Sequence, residues 1–218
     1  MRISEAADRA RVSQTTLKYY IREGLVHEGA RIATNQTVYD ESHVKRAKLV
    51  RALLETGGLS VAEAGRVLAA VDEHPDAPAY AFEAAQHAMG AAHRDAGSSS
   101  SRERVTELAK SSGWGYSDQN PGIAMAARVL DGFDSIDFAL PDDFLASYAA
   151  AAERLAKADI LALQSRHDTE SVTELMVAGT VLGDALIAGL RRIAQENESA
   201  AAFPVDQSPA QPTTGETQ

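Results

Sequence analysis

The feature that most constrains the fold of this chain is a series of helix signals in its first 71 residues. Ser13–Glu23 has the length of one short helix, and Gly24 stands where helices commonly end in the left-handed conformation. A shorter helix at Glu5–Ala10, which Ser4 would cap, precedes it across a tight turn. Two short helices joined so closely predict a helix-turn-helix whose second helix enters a DNA major groove.

The next signals predict a wing and two further helices. Glu28–Tyr39 is polar and contains Gly and Asn, which favours a β-ribbon. Asp40 can cap a third helix, and Ser60 with Glu63 forms the capping box of a fourth. We therefore predict a mainly α protein with a winged helix-turn-helix and a short β-wing in residues 1–74.

The segments TLKYYIREGL (Thr16–Leu25) and GGLSVAEAGRVL (Gly57–Leu68), with a wing ending in Tyr39 between them, resemble the signature of the MerR family of transcription regulators. The resemblance implies that Ser13–Thr16 enter the major groove and that Tyr39 and the wing hold phosphates. It further implies a pseudo-palindromic promoter site, and activation by distortion of an overlong promoter spacer, with repression equally open. The sequence departs from the signature at Lys18, where the family has arginine, at Ile21, and at the pair Gln36–Thr37.

The predicted DNA contacts combine this resemblance with donor chemistry. Lysine, arginine and tyrosine donate to phosphates, whereas glutamine and threonine can also bond base edges. Tyr19 has a core alternative, and Thr15 and Thr16 have a capping alternative. The predicted DNA-binding residues are Ser13, Gln14, Thr15, Thr16, Lys18, Tyr19, Arg22, Arg31, Asn35, Gln36 and Tyr39.

Charge is segregated along the chain in a way that suits DNA binding. The formal net charge is −10, but residues 1–71 hold 11 Lys+Arg and 8 Asp+Glu, a net of +3 against −13 for the remainder. Phosphate neutralisation supplies much of a protein's affinity for DNA, so the basic residues stand where they are needed. There are no cysteines, which excludes disulfides, thiolate metal sites and thiol-based redox sensing.

The rest of the chain predicts an all-helical domain in residues 79–198, after a break at Pro75–Pro78, and a disordered tail in residues 199–218. The predicted helices are Tyr80–Arg94, Arg102–Ser111, Ile123–Phe133, Pro141–Arg166 and Thr169–Asn197, and the predicted loops are Gly97–Ser101 and Gly113–Gly122.

The last predicted helix carries apolar and glycine residues at alternating spacings of three and four, which indicates a packing seam. Glycine lowers helix propensity, so its presence there suggests a close helix crossing. The seam has two interpretations, an intramolecular bundle contact or a symmetric homodimer interface. The predicted dimerisation residues are Leu175, Gly179, Leu182, Gly183 and Leu186.

A ligand site is predicted from the few aromatic residues outside the first domain. Trp114 and Tyr116 could form the wall of a pocket that Phe144 and Tyr148 complete, or they could be ordinary packing. Without thiols, an effector would be an organic, partly apolar molecule held by shape and a few polar groups.

We therefore predict a homodimeric, DNA-binding transcription regulator that responds to an organic small molecule. The expected partners are double-stranded DNA, a second copy of the chain and RNA polymerase. No enzymatic motif, cofactor, metal site, signal segment or membrane-spanning run is expected, and the predicted location is cytoplasmic. The alternative is an effector-independent architectural or adaptor DNA-binding protein whose C-terminal domain binds a protein partner.

Overall fold

A computed structural model describes residues 1–33, 36–90, 96–141 and 143–204, which are mainly helical with one two-stranded sheet, as predicted. The chain divides into two compact units, residues 1–183 and 184–218. The elements are α1 (Ile3–Ala10), α2 (Gln14–Arg22), β1 (Ala30–Ala33), β2 (Gln36–Val38), α3 (Glu41–Arg51), α4 (Val61–Glu73), α5 (Pro78–Gly90), α6 (Ser99–Ser111), α7 (Pro121–Ser135), α8 (Phe144–Gln164) and α9 (Thr169–Ala202).

The helix caps of the N-terminal region follow the sequence signals closely. Ser13 Oγ accepts from the backbone N–H of Thr16, and Gly24 has a φ of +72°. Ser60 and Glu63 form the expected capping box of α4. The prediction for Ser4 was wrong, because α1 already begins at Ile3 and Ser4 lies inside the helix.

Two hydrogen bonds explain the early start of α1. The terminal amine of Met1 donates to the Tyr39 carbonyl, and the Tyr39 N–H donates to the Met1 carbonyl. These bonds hold the chain extended beside the end of the wing, so the helix begins directly after residue 2. Such a long-range pairing leaves no local trace in the sequence.

One hydrophobic core joins the helix-turn-helix to elements far along the chain. Small residues on α1 let it lie close to α2 and α3, whose larger side chains fill the centre. The same core continues into α5 and into the first half of α9. Its buried members include Ala6, Ala7, Ala10, Leu17, Tyr20, Leu25, Val44, Val50, Leu53, Leu68, Ala81, Ala85, Val177 and Val181. The domain limits at residues 74 and 79 stay a prediction.

The approach of α9 to this core is closest at Gly57, after the π-helical turn Ala52–Thr56 that extends α3. A Cβ built on Gly57 would overlap Cγ1 of Val181 and would lie 2.8 Å from the Leu53 carbonyl oxygen. Any side chain at position 57 would therefore push α9 away. The glycine is required here for close approach, since its φ is an ordinary −78°.

The structure corrects several limits in the C-terminal region. Helix α5 begins at Pro78 rather than Tyr80, and α7 runs from Pro121, inside the predicted loop, to Ser135 rather than from Ile123 to Phe133. Residues 99–101, predicted as loop, form the first turn of α6, because Ser98 caps the helix and its N–H and Oγ bond the Asp131 carboxylate. Helix α8 begins at Phe144 rather than Pro141. Helix α9 continues to Ala202, into the predicted tail, whereas residues 205–218 and the predicted helix end at Arg94 lie outside the described residues.

Two long helical stretches carry exposed apolar side chains. In the second unit, residues 184–202 continue α9 and expose Leu186 (63%) and Ile193 (68%). In the first unit, α8 exposes Leu155 and Leu161. Globular monomers rarely leave so much apolar surface uncovered.

Contrary to the expectation from sequence, α9 is long and apolar enough to cross a membrane by length and composition alone. This is weak evidence for a membrane span, because the first half of α9 packs into the core through Thr173, Val177 and Val181.

Gly57→Ala should lower the free energy of unfolding by about 1 to 3 kcal/mol, because the added methyl overpacks the contact with Val181 and Leu53. Chemical denaturation monitored by circular dichroism measures this change. The matched control is Gly65→Ala in α4, where a Cβ would meet only Leu25 Cδ2 at 3.8 Å. In that control, the free energy of unfolding should rise by about 0.5 to 1 kcal/mol, because alanine has a higher helix propensity than glycine. Equal stability of both variants would contradict the close approach of α9.

Candidate nucleic-acid interface

Helix α2 separates a buried face from an exposed polar face. Leu17 and Tyr20 are buried in the core, and Tyr20 is only 3% exposed. The opposite face exposes Gln14, Thr15, Lys18 and Arg22, which are spaced so that they lie along one side of the helix. A short helix with an exposed row of donors has the form required for major-groove contact.

The first turn of α2 distinguishes the two threonines. Thr16 is half-buried, and its hydroxyl lies 2.8 Å from Ser13 Oγ within the cap. Thr15 is exposed and points away from the core. Thr16 therefore takes part in the cap, and the DNA contacts of both threonines stay predictions.

Tyr19 lies at the edge between the core and the exposed face. Its ring is half-buried against the core and 6.2 Å from the ring of Tyr20. The Arg22 guanidinium lies 5.2 Å from the Tyr19 ring centroid and also pairs with Glu23. The core and DNA interpretations of Tyr19 are thus compatible, because the ring packs on one side and holds an arginine on the other.

The wing is a tight antiparallel ribbon in which Arg31 lies opposite Thr37 and Ala30 opposite Val38. Gly29 allows the two strands to approach at the base of the wing. A Cβ on this residue would lie only 2.7 Å from both Thr37 Cγ2 and the Val38 carbonyl oxygen. Arg31 and Gln36 are exposed, as a phosphate-contacting role requires. The predicted contact Asn35 lies outside the described residues.

Tyr39 closes the wing and packs against α3. Its half-buried ring meets the ring of His43 edge to face at 5.2 Å, and its backbone is paired with Met1. The ring therefore has a structural role at the base of the wing. The hydroxyl of Tyr39 is the group that would make the predicted phosphate contact.

Two arginines of α3 hold the fold together, which the sequence did not reveal. Arg46 Nε donates to the Leu25 carbonyl. Its Nη2 donates to the Leu68 carbonyl and forms an ion pair with the Asp72 carboxylate. Arg51 Nη1 donates to the Arg11 carbonyl at 2.9 Å. Their partners are carbonyls far away in the sequence, so no local spacing could have indicated these bonds.

A compact polar cluster, missed by the sequence interpretation, lies where the wing meets α3. The rings of His27 and His43 lie with their centroids 4.0 Å apart and their planes tilted by 47°, and His43 Nδ1 lies 2.8 Å from Asp40 Oδ1. A hydrogen bond from the Ser42 hydroxyl and the adjacent His43 ring hold the pKa of Asp40 well below its usual range. Partial desolvation and the neighbouring His43 lower the pKa of His27.

A cavity of about 470 Å³ adjoins this cluster within the first unit. Helices α3, α4 and α9 line it, and burial raises the pKa of the Glu174 carboxyl on its wall. Its lining residues include His27, Lys45, Arg46, Asp72, Glu170 and Glu174.

The predicted ligand residues lie in a different part of the fold. Phe144 and Tyr148 stack at 4.6 Å, and Phe133 contacts Phe144 edge to face. Trp114 and Tyr116 are half-buried in the loop before α7. A ligand site shared by these four residues stays a prediction.

The predicted dimerisation residues occupy the face of α9 opposite to its packed face. Val177 and Val181 point into the core, whereas Gly179 and Gly183 are two positions away, about 200° around the helix. Within 4 Å of a Cβ built on either glycine there is no other atom among the described residues. The two glycines of the predicted seam therefore have no packing neighbour among the described residues, and the role of the seam in a dimer stays a prediction.

Comparison with known proteins agrees with this geometry. Residues 1–71 match the model of the MerR HTH family regulatory proteins. The fold is similar to the crystal structure of the "putative transcriptional regulator SCO5550" from Streptomyces coelicolor A3(2), with 28% identity and a TM-score of 0.72 over 94% of this chain and 99% of that one. A search among curated proteins gave no match. Residues 1–71 are therefore similar to the helix-turn-helix of MerR regulatory proteins, and both comparisons support DNA binding in transcription regulation.

Proposed function

We propose that the protein acts as a homodimer on a pseudo-palindromic promoter site. The observation that carries this proposal is the exposed donor row of α2 beside an exposed wing, in a region with a net charge of +3. A single small domain contacts one half-site, and two-fold pairing adds both affinity and specificity. The neighbouring crystal structure, described as a transcriptional regulator, supports the same role for the whole chain.

The open face of α9 favours a dimer contact through that helix. Gly179 and Gly183 would let a second helix approach closely, and Leu186 continues the same face with its side chain exposed. An interface that buried these residues would also cover apolar surface that the described chain leaves in water. Leu175 and Leu182 complete the proposed seam.

Control by an organic small molecule is the finer part of the proposal, with Trp114, Tyr116, Phe144 and Tyr148 as the proposed contacts. A ligand regulates only if it favours one arrangement of the protein over another. Helix α9 could transmit the effect of a ligand to the helix-turn-helix, because the first half of α9 packs in the same hydrophobic core. Distortion of a promoter spacer, contact with RNA polymerase and a cytoplasmic location follow from the same family resemblance.

The second candidate function is an effector-independent architectural or adaptor protein. The exposed apolar residues of α8, such as Leu155 and Leu161, favour it because they could bind a protein partner. Nuclease footprinting on the DNA upstream of the protein's own coding region tests DNA recognition for both candidates. A symmetric footprint supports the dimeric regulator, and a sequence-independent pattern supports the architectural protein.

Lys18→Ala should weaken binding to the footprinted site and reduce the slope of log affinity against log salt by about one unit, as loss of one phosphate contact requires. Fluorescence anisotropy over a range of salt concentrations measures both quantities. Lys110→Ala in α6 is the matched control, because Lys110 is exposed but lies outside the winged domain. An unchanged slope in Lys18→Ala would remove this residue from the interface.

Tyr39→Phe should cost about 1 kcal/mol of DNA-binding free energy, the net value of one hydrogen bond. The ring that packs against His43 is kept, so the thermal unfolding temperature should stay the same. Full DNA affinity in this variant would restrict Tyr39 to a packing role.

Gly183→Leu and Leu186→Arg should each disrupt the dimer, the first by bulk and the second by a charge placed in an apolar contact. Both positions are open in the single chain, so each variant should remain folded. Sedimentation velocity measures the change, with Gly132→Leu in α7 as a control at an equally open glycine. Intact dimers in both variants would place the interface elsewhere.

A further inference from the structure

Three side chains with metal-binding donor atoms converge on one hydroxyl at the base of the wing. The Oγ of Ser42 lies 3.1 Å from His27 Nε2, 2.5 Å from Asp40 Oδ1 and 3.5 Å from His43 Nδ1. The ligand atoms of the two histidines and the aspartate all lie within 4.8 Å of one another. Two imidazoles and a carboxylate are a common ligand set for zinc and its neighbours in the first transition row.

We propose that His27, Asp40 and His43 bind one divalent transition-metal ion, with the Ser42 hydroxyl or a water as a further ligand. Bonds of about 2.0 to 2.2 Å in a tetrahedral site place the donor atoms about 3.3 Å apart. His43 is held in the buried first turn of α3, whereas His27 and Asp40 are exposed. Both exposed side chains would turn about their own single bonds to bring their donor atoms to that spacing.

The cap of α3 alone does not explain this cluster. Asp40 accepts from the Ser42 N–H, and His43 Nδ1 accepts from the Asp40 N–H, so the capping box is complete without His27. His27 comes from the segment before β1 and adds a donor that the cap does not use. It also lines the adjoining cavity of about 470 Å³, which gives an ion a path from solvent.

A bound ion would join the two ends of the wing. His27 lies just before β1, and Asp40 follows directly after β2 and Tyr39. A shared ligand would tie the two ends of the wing to the start of α3 and restrict any movement between them. The ion would therefore regulate the wing from inside the DNA-binding domain.

Calorimetric titration of the full, untagged chain with Zn²⁺ tests the site without any DNA, so its outcome is independent of the proposed regulatory function. We expect saturable binding of one ion per chain. His27→Ala should weaken binding at least about tenfold, the scale on which even outer-shell partners act. His167→Ala, which removes an exposed histidine elsewhere, should bind as the unaltered chain does. Absence of saturable binding, or equal affinity in His27→Ala, would overturn the proposal.

A second variant separates metal binding from helix capping. Asp40→Ser keeps a capping hydroxyl but removes the carboxylate, so the metal-free protein should unfold at nearly the same temperature. Its Zn²⁺ affinity should nevertheless fall at least about tenfold. Zinc should shift the ring resonances of His27 and His43 in NMR spectra and leave that of His167 in place. A shift at His167 instead, or full affinity in Asp40→Ser, would assign the ion to another site.

Discussion

The close contact between Gly57 and Val181 is the constraint on which the rest of the first unit depends. It brings the first half of α9 against the end of α3, where any side chain at position 57 would interfere. Through that contact, Val177 and Val181 join a core that also holds Leu17 and Tyr20 of α2. The DNA-binding region is thus not stabilised by its own residues alone, because its core is shared with a helix more than a hundred residues away.

The shared core gives α9 two separate roles on two faces. One face packs inward through Thr173, Val177 and Val181, and the opposite face presents Gly179 and Gly183 to open space. A second chain that packs on the open face would also fix the position of the inner face, because a helix moves as a rigid element. In such a pair of chains, the relative orientation of the two α2 helices could depend on the contact between the two α9 helices.

The wing is controlled by polar contacts rather than by hydrophobic packing. Met1 pairs with the backbone of Tyr39, and Gly29 allows the two strands to approach. At the same end, Asp40 and His43 cap α3 while His27 lies against them. The position of the wing therefore depends on a few hydrogen bonds and ring contacts at its base, which a bound ion could strengthen.

The sequence alone determined the local features of this protein. The caps at Ser13, Asp40 and Ser60, the left-handed Gly24 and the wing were predicted because each depends on residues within one turn or one hairpin. The polar donors of α2 were predicted from the resemblance and from the chemistry of their side chains.

Only the tertiary structure decided which distant residues meet. Arg46 donates hydrogen bonds to carbonyl oxygens 21 and 22 residues away, and Met1 forms hydrogen bonds with Tyr39. The side chain of Val181 packs against Gly57. The convergence of His27 with Asp40 and His43 also required the wing to fold back on α3. Local sequence records the preferences of a backbone over a few residues, whereas these contacts depend on how whole helices pack, and that packing is set by the shape of the entire core.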